Sequence, residues 1–211
     1  MELVSTGNQS EFQFDLTGGQ PALDLANTVS RRDNAALRND HLANYVDLLA
    51  FVRQSKLLPP KQARELHSYA LHHAGEARRS FAQALKLREA MYRVFSAIAQ
   101  QKTVADDDLR VLNDFAVEAV RHRALAQVNG GYGWKWAPND KNVLEQAIWP
   151  VAQAAADLLT SDDLRIVRFC EAPDCEWLFL DRSRNRSRRW CDMTTCGNRA
   201  KARRHYQRVH E

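Results

Sequence analysis

A chain of 211 residues with 45% hydrophobic and 27% charged composition is long enough to bury a core, which excludes general disorder and fits one medium domain with a small appendage. The N-terminal stretch MELVSTGNQSEFQFDL is polar and acidic and no run of about eighteen apolar residues occurs, so neither a secretory leader nor a membrane span is expected, and the cytoplasm is the expected compartment. The net charge of +4 is unevenly divided: residues 1–164 hold 18 Lys/Arg against 20 Asp/Glu, and residues 165–211 hold 12 against 6.

Taken in chain order, EFQFDL (11–16) alternates in the manner of a strand, and PALDLANTV after Gly18-Gly19 suits a short helix after a turn. Leu42, Tyr45, Val46, Leu49 and Val52 follow helical spacing from Asp40 to about Leu58, where Pro59-Pro60 ends one helix and opens the next. Residues 61–101 predict two helices meeting near Gly75, the second with Leu85, Arg88, Met91, Tyr92, Phe95, Ile98 and Ala99 on its core side. Thr103 and Asp106 have the form of a capping box before a helix that carries Leu109, Leu112, Phe115, Val117 and Val120 and ends near His122.

RALAQVNGGYGWKWAP then predicts a β-hairpin over about 123–137, with Trp134 and Trp136 on one face, where paired aromatics more often cover core than stack on a ligand. A helix from about Asp140 to Leu159 follows, with a kink expected at Pro150. The domain boundary is drawn near Ser161, giving a helical domain over 1–161 and a small domain over 162–211.

All four cysteines, Cys170, Cys175, Cys191 and Cys196, lie in this last part with the spacing C-x4-C-x15-C-x4-C. Two equal pairs about fifteen residues apart suit two knuckles closing four thiolates around one structural Zn2+. Disulfides and unlinked core thiols are the alternatives, and the former fit poorly with a reducing compartment. His205 and His210 stand beyond the second pair and are not needed as ligands, because four cysteines complete the set. A closed set also lacks the open position of catalytic zinc.

Strands are expected at Ile166 to Phe169 and at WLFL (177–180), forming a zinc-ribbon-like hairpin with DRSRNRSRR as its loop. After Cys196 a helix would place Ala202, Tyr206 and Val209 on a face resting against the knuckles. Arg199, Lys201, Arg203, Arg204 and Arg208 would fill its remaining arc and, with Arg182, Arg184, Arg186, Arg188 and Arg189 of the loop, make a phosphate-binding surface. Ten basic residues against one acid in 182–208 favour nucleic acid as partner, DNA before RNA, with an acidic protein partner as the reading from another class.

These residues resemble the CGNR zinc-finger family, spelled here by Cys196-Gly197-Asn198-Arg199 and supported by WLFLDRSRNRSRRWC and CGNRAKARRHY. GGQPALDLANT (18–28) is similar to the signature of the N-terminal domain usually paired with it, called ABATE. The resemblance implies a bacterial zinc protein that binds DNA and acts in stress-related transcription regulation, with the four cysteines as ligands and Arg199 and the loop arginines as candidates for nucleic-acid contact; Arg199, near the start of the helix, is the preferred base-reading residue. One departure is Glu176 before Trp177, where a small residue, often Gly, is expected.

Asp24 and Asn27 could line a pocket for a small-molecule effector, although Asp and Asn beside a turn more commonly satisfy nearby backbone groups. Asp106, Asp107 and Asp108 are explained by the helix dipole rather than by a bound cation. His67, His72 and His73 have no cysteine to join them, and no phosphate loop, nucleophile elbow or His-carboxylate metal motif is present. The expectation is therefore a binding protein and not an enzyme, mainly α with small β elements, with a homodimer among its candidate partners.

Overall fold

The computed structural model describes residues 12–128, 130–137 and 143–210. Its elements are α1 (Pro21–Ala26), β1 (Val29–Ser30), β2 (Asn39–Asp40), α2 (Tyr45–Gln54), α3 (Pro60–His72), α4 (Ala74–Ala99), α5 (Asp106–Arg121), β3 (Arg123–Val128) and β4 (Gly131–Trp136). A 3-10 turn at Val143–Ala147 leads to α6 (Trp149–Leu159), and a second at Asp162–Ile166 leads to β5 (Val167–Phe169), β6 (Leu178–Leu180), a π-turn at Met193–Gly197 and α7 (Asn198–His210). The six strands form three separate antiparallel pairs, β1-β2, β3-β4 and β5-β6. The chain is thus mainly helical with small β elements, as the patterning predicts.

The core is built around α4, whose Ala84, Leu87, Ala90, Met91, Val94 and Phe95 are buried. Helix α1 is short but sits wholly inside, with Ala22, Leu23, Leu25 and Ala26 buried. Gln20 holds its start, because its side chain accepts from the Ala22 amide (2.6 Å) and donates to the Ala154 carbonyl of α6. The guanidinium of Arg88, on α4 and 2% exposed, makes two bonds of 2.7 Å to the Asp40 carboxylate, so the charge carried into the core is paired.

Several sequence expectations shift. Phe12 to Leu16 form no strand: the Gln54 side chain accepts from the Phe14 amide (2.9 Å) and donates to the Phe12 carbonyl (2.7 Å), occupying groups a strand would have paired. Residue 11 lies outside the described residues. The helix expected from Asp40 begins at Tyr45, because Asp40 pairs with Val29 in β2 and Asn44 with Asp47 forms a capping box. The Thr103 box is absent; Ala105 precedes α5 with no side-chain cap, and Asp108 of the first turn pairs with Arg93 of α4. On α5 only Leu112 and Ala119 are buried, while Leu109, Val117 and Val120 are exposed.

Pro150 opens α6 instead of kinking it, since its missing N–H costs nothing in a first turn. The start expected near Asp140 lies outside the described residues. The hairpin holds, with Leu125 opposite Trp134 and Arg123 opposite Trp136. Its two tryptophans part company: Trp136 approaches Trp149 in the core (6.1 Å), and Trp134 is exposed with Arg123 over its ring (5.0 Å).

Candidate metal centre and basic surface

The β5-β6 hairpin stands on the helical core: Ile166, Val167, Leu178 and Leu180 belong to the same apolar cluster as α1 and α4. The Asn27 side chain reinforces this joint, donating to the Leu178 carbonyl (2.8 Å) and accepting from its amide (2.9 Å). The next strand amide, Leu180, donates to the Gly18 carbonyl (3.0 Å). At Gly18 a Cβ would lie 2.6 Å from the Asp24 carboxylate and 3.1 Å from the Leu23 Cβ, so only glycine fits. Asp24 is itself buried, and that burial raises its carboxyl to about 7. The structure thus places Asp24 and Asn27 inside the joint between α1 and β6.

Beyond the hairpin the four cysteines converge. Their sulfurs all lie within 4.8 Å of one another and all four residues are buried. Cys175 to Cys191 is 3.4 Å and Cys191 to Cys196 is 3.6 Å. Tetrahedral zinc with bonds of about 2.3 Å requires sulfurs about 3.8 Å apart, so the set fits this ion with a small expansion. Hydrogen bonding to Cys170 and then burial hold Cys175 and Cys191 protonated, far above the usual thiol range. The bonds from Cys175 and Cys191 pull Cys170 down to about 2. Buried thiols packed this closely are the donor set from which a divalent cation displaces protons on binding.

Backbone bonds shape the two knuckles. The Cys170 amide donates to the Trp177 carbonyl (2.8 Å), and the Cys175 amide to the Ala172 carbonyl (3.1 Å). Glu176 occupies the left-handed region at φ 61, which accounts for the glycine expected there, and its carboxylate accepts from the Asp33 amide (3.2 Å). The second knuckle is a π-turn in which Asp192 accepts from the Thr195 amide (2.7 Å), and it runs directly into α7.

Asp181, fully buried, organises the arginine loop. Its carboxylate accepts from the Ser183 amide (3.0 Å), the Ser183 hydroxyl (2.6 Å) and the Arg188 amide (3.0 Å). Burial penalises its charge, yet these bonds outweigh that and leave the carboxyl below its ordinary range.

The ten basic residues divide by what they touch. Arg188 is half-buried, packed over Phe179 (4.7 Å) and bonded to the Trp190 and Cys191 carbonyls. Arg199 donates to Cys196 Sγ (3.2 Å) and to Asp174 (3.2 Å), and Arg203 shares Asp174 (3.4 Å). Arg182 pairs with Asp163 (2.8 Å) and Arg189 with Glu171 (2.5 Å). Arg184, Arg186, Lys201, Arg204 and Arg208 are exposed and have no carboxylate partner among the described residues. A groove of about 270 Å3 runs beside α7, lined by Arg189, Trp190, Arg199, Arg203 and Arg204.

The face expected to rest on the knuckles does not. Ala202, Tyr206 and Val209 are exposed, and α7 projects into solvent after its first turn. Sequence reasoning missed Asp174, whose arginine partners are brought to it by tertiary structure, and Asp181, whose partners Ser183 and Arg188 lie in the loop that follows it. It also missed Trp190, whose ring lies within 5.5 Å of the Arg189 guanidinium and 6.0 Å of that of Arg204.

No described helix is long and apolar enough to cross a membrane. Comparison with curated proteins finds no match. Family models match almost the whole described chain: ABATE, described as a putative stress-induced transcription regulator, over residues 19–162, and the CGNR zinc finger over residues 167–209. With most of its length and its four-cysteine cluster so matched, the chain belongs to the ABATE family and carries a CGNR zinc finger at its C-terminal end.

Proposed function

We propose that this protein is a DNA-binding transcriptional regulator in which one Zn2+ per chain is structural. The observation that carries the reading is the set of five exposed cations on the arginine loop and α7 that have no carboxylate partner among the described residues, both elements being anchored to the same cysteine knuckles. A polyanion neutralises such a surface without displacing internal ion pairs, and phosphates supply the repeat of charge that a loop and a helix can follow. Arg199 remains the proposed base reader; contact with a guanine edge would require it to turn from Asp174. Four sulfurs fill a tetrahedral shell, so the metal holds the surface in shape and the protein acts by binding rather than as an enzyme. The reading places it with DNA in the cytoplasm, in stress-related control, and leaves room for a homodimer.

The test is binding of zinc-loaded protein to mixed-sequence duplex DNA and to structured RNA over a salt series, with Cys170→Ser alongside. Five phosphate contacts give a slope of log K against log salt near about −4.5 on DNA. A steep slope that vanishes in the cysteine variant supports the reading, a clear preference for RNA replaces DNA as the partner, and weak binding to both removes nucleic acid. Arg199→Ala with unchanged sequence preference removes its base-reading role.

A second reading has its own observation. Tyr206 and Val209 are 66% and 63% exposed on α7, and exposed apolar residues at helical spacing suit a protein partner. A partner held through this face survives excess DNA in a competition experiment.

A further inference from the structure

A cavity of about 190 Å3 lies in the helical part, well outside the cysteine cluster in sequence, between α4, α5, the 3-10 turn before α6 and the first residues of α6. Its apolar wall is Phe115, Ile148 and Trp149, its acidic wall Asp114, Glu118 and Glu145, and Lys86 and Gln83 complete the lining. We propose that this cavity binds a small organic cation, an amine whose charged nitrogen sits between Glu118 and Glu145 while its hydrocarbon part lies on the Trp149 and Phe115 rings.

Four observations carry the proposal. The lining holds three carboxyl groups against one lysine, so its balance of charge favours a cation. Glu145 is half-buried and makes no hydrogen bond or ion pair with the described residues, with only the His122 ring as an attractive charge neighbour, whereas Glu118 is already engaged by His122 (2.9 Å) and Arg121 (3.3 Å). Burial first, and then the neighbouring Glu118, push the Glu145 carboxyl up, a strain that a bound positive charge relieves.

Trp149 lines the cavity and is 2% exposed. The His122 ring stacks on this indole at 3.9 Å and fixes it in place. Aromatic faces beside carboxylates are the chemistry by which proteins hold alkylammonium groups.

A metal ion fits less well. Among the described residues the four cysteines form the one group of three or more side chains close enough to share an ion, and Asp114, Glu118 and Glu145 do not form another. The size suits an organic ligand, since an apolar cavity of about 150 Å3 holds benzene.

The experiment is calorimetric titration of the zinc-loaded full chain, without nucleic acid, using benzylamine, benzyl alcohol and benzoate as amine, neutral and anionic forms of one shape. Benzylamine is expected to bind at one site at least about tenfold more tightly than benzyl alcohol, with benzoate weakest. Glu145→Gln is expected to bring benzylamine down to the level of the alcohol, and Glu118→Gln provides a second variant should the first fail to fold. Equal affinity for amine and alcohol, unchanged benzylamine binding in both variants, or no benzylamine binding up to about 10 mM would overturn the proposal. The wild-type comparison decides the matter without either variant, and no outcome depends on whether the basic surface binds DNA.

Discussion

At the scale of the residue, Asn27 shows how a motif side chain can act at long range. Its amide satisfies both backbone groups of Leu178, 151 positions away, so Asn27→Ala leaves a buried N–H and C=O without partners. The expected cost is on the order of 3 kcal/mol, read as a lower midpoint in denaturant. Asp24 makes the opposite prediction. Its folded pKa is raised by burial from 3.8 to about 7, so between these values the unfolded chain has lost a proton that the folded chain keeps. Stability then falls as pH rises through that window and levels off above it. Asp24→Asn is expected to raise the melting temperature at pH 8 and to have little effect near pH 4; an equal effect at both would sink the assignment. The residue types at 24 and 27 were plain in the sequence, but local satisfaction of backbone was the nearest available reading. Neither the strand that Asn27 serves nor the glycine against which Asp24 packs lies within reach of a spacing rule.

At the scale of the element, the arginine loop and α7 are built differently. The loop is tied down by Asp181, whose lowered carboxyl pKa implies stability present above its unfolded value and lost as pH falls through the folded one. Asp181→Ala is expected to weaken nucleic-acid binding several-fold by releasing residues 183–188, and Asp181→Asn to do less because it still accepts. Helix α7 is exposed over residues 201–209 and gains little from packing, so its amides are expected to exchange fast in the free protein and to become protected on DNA. Removing residues 201–211 should leave the melting temperature nearly unchanged and weaken DNA binding at least tenfold. Angular spacing correctly announced α7 and its cationic arc. It mistook Ala202, Tyr206 and Val209 for a packing face, because periodicity shows that one side of a helix is apolar but not that anything covers it.

At the scale of the molecule, the cysteine knuckles and the helical core are joined through the β5-β6 hairpin. Val167, Leu178 and Leu180 are buried against α1 and α4, whereas Phe179 of the same strand packs with the cysteines. Alternation along three residues thus couples the metal centre to the main core. Chelation of the metal is expected to lower the melting temperature of the whole chain in one cooperative transition by calorimetry. Two separated transitions, with the upper one unmoved by chelator, would show that the parts unfold independently.

By itself the sequence determined the helical class, the order of the main helices, the four cysteines and the concentration of positive charge near them. These are carried by residue type and spacing, which a linear chain displays directly. Only the tertiary structure decided which arginines are already paired, by bringing Asp163, Glu171 and Asp174 beside them, and which apolar faces stay exposed. It also decided where Asn27 and Gly18 meet β6 and where Trp149, Glu118 and Glu145 enclose a cavity. Each of these depends on contacts between residues far apart in the chain, and the energy of burial or pairing depends on neighbours that no local pattern names.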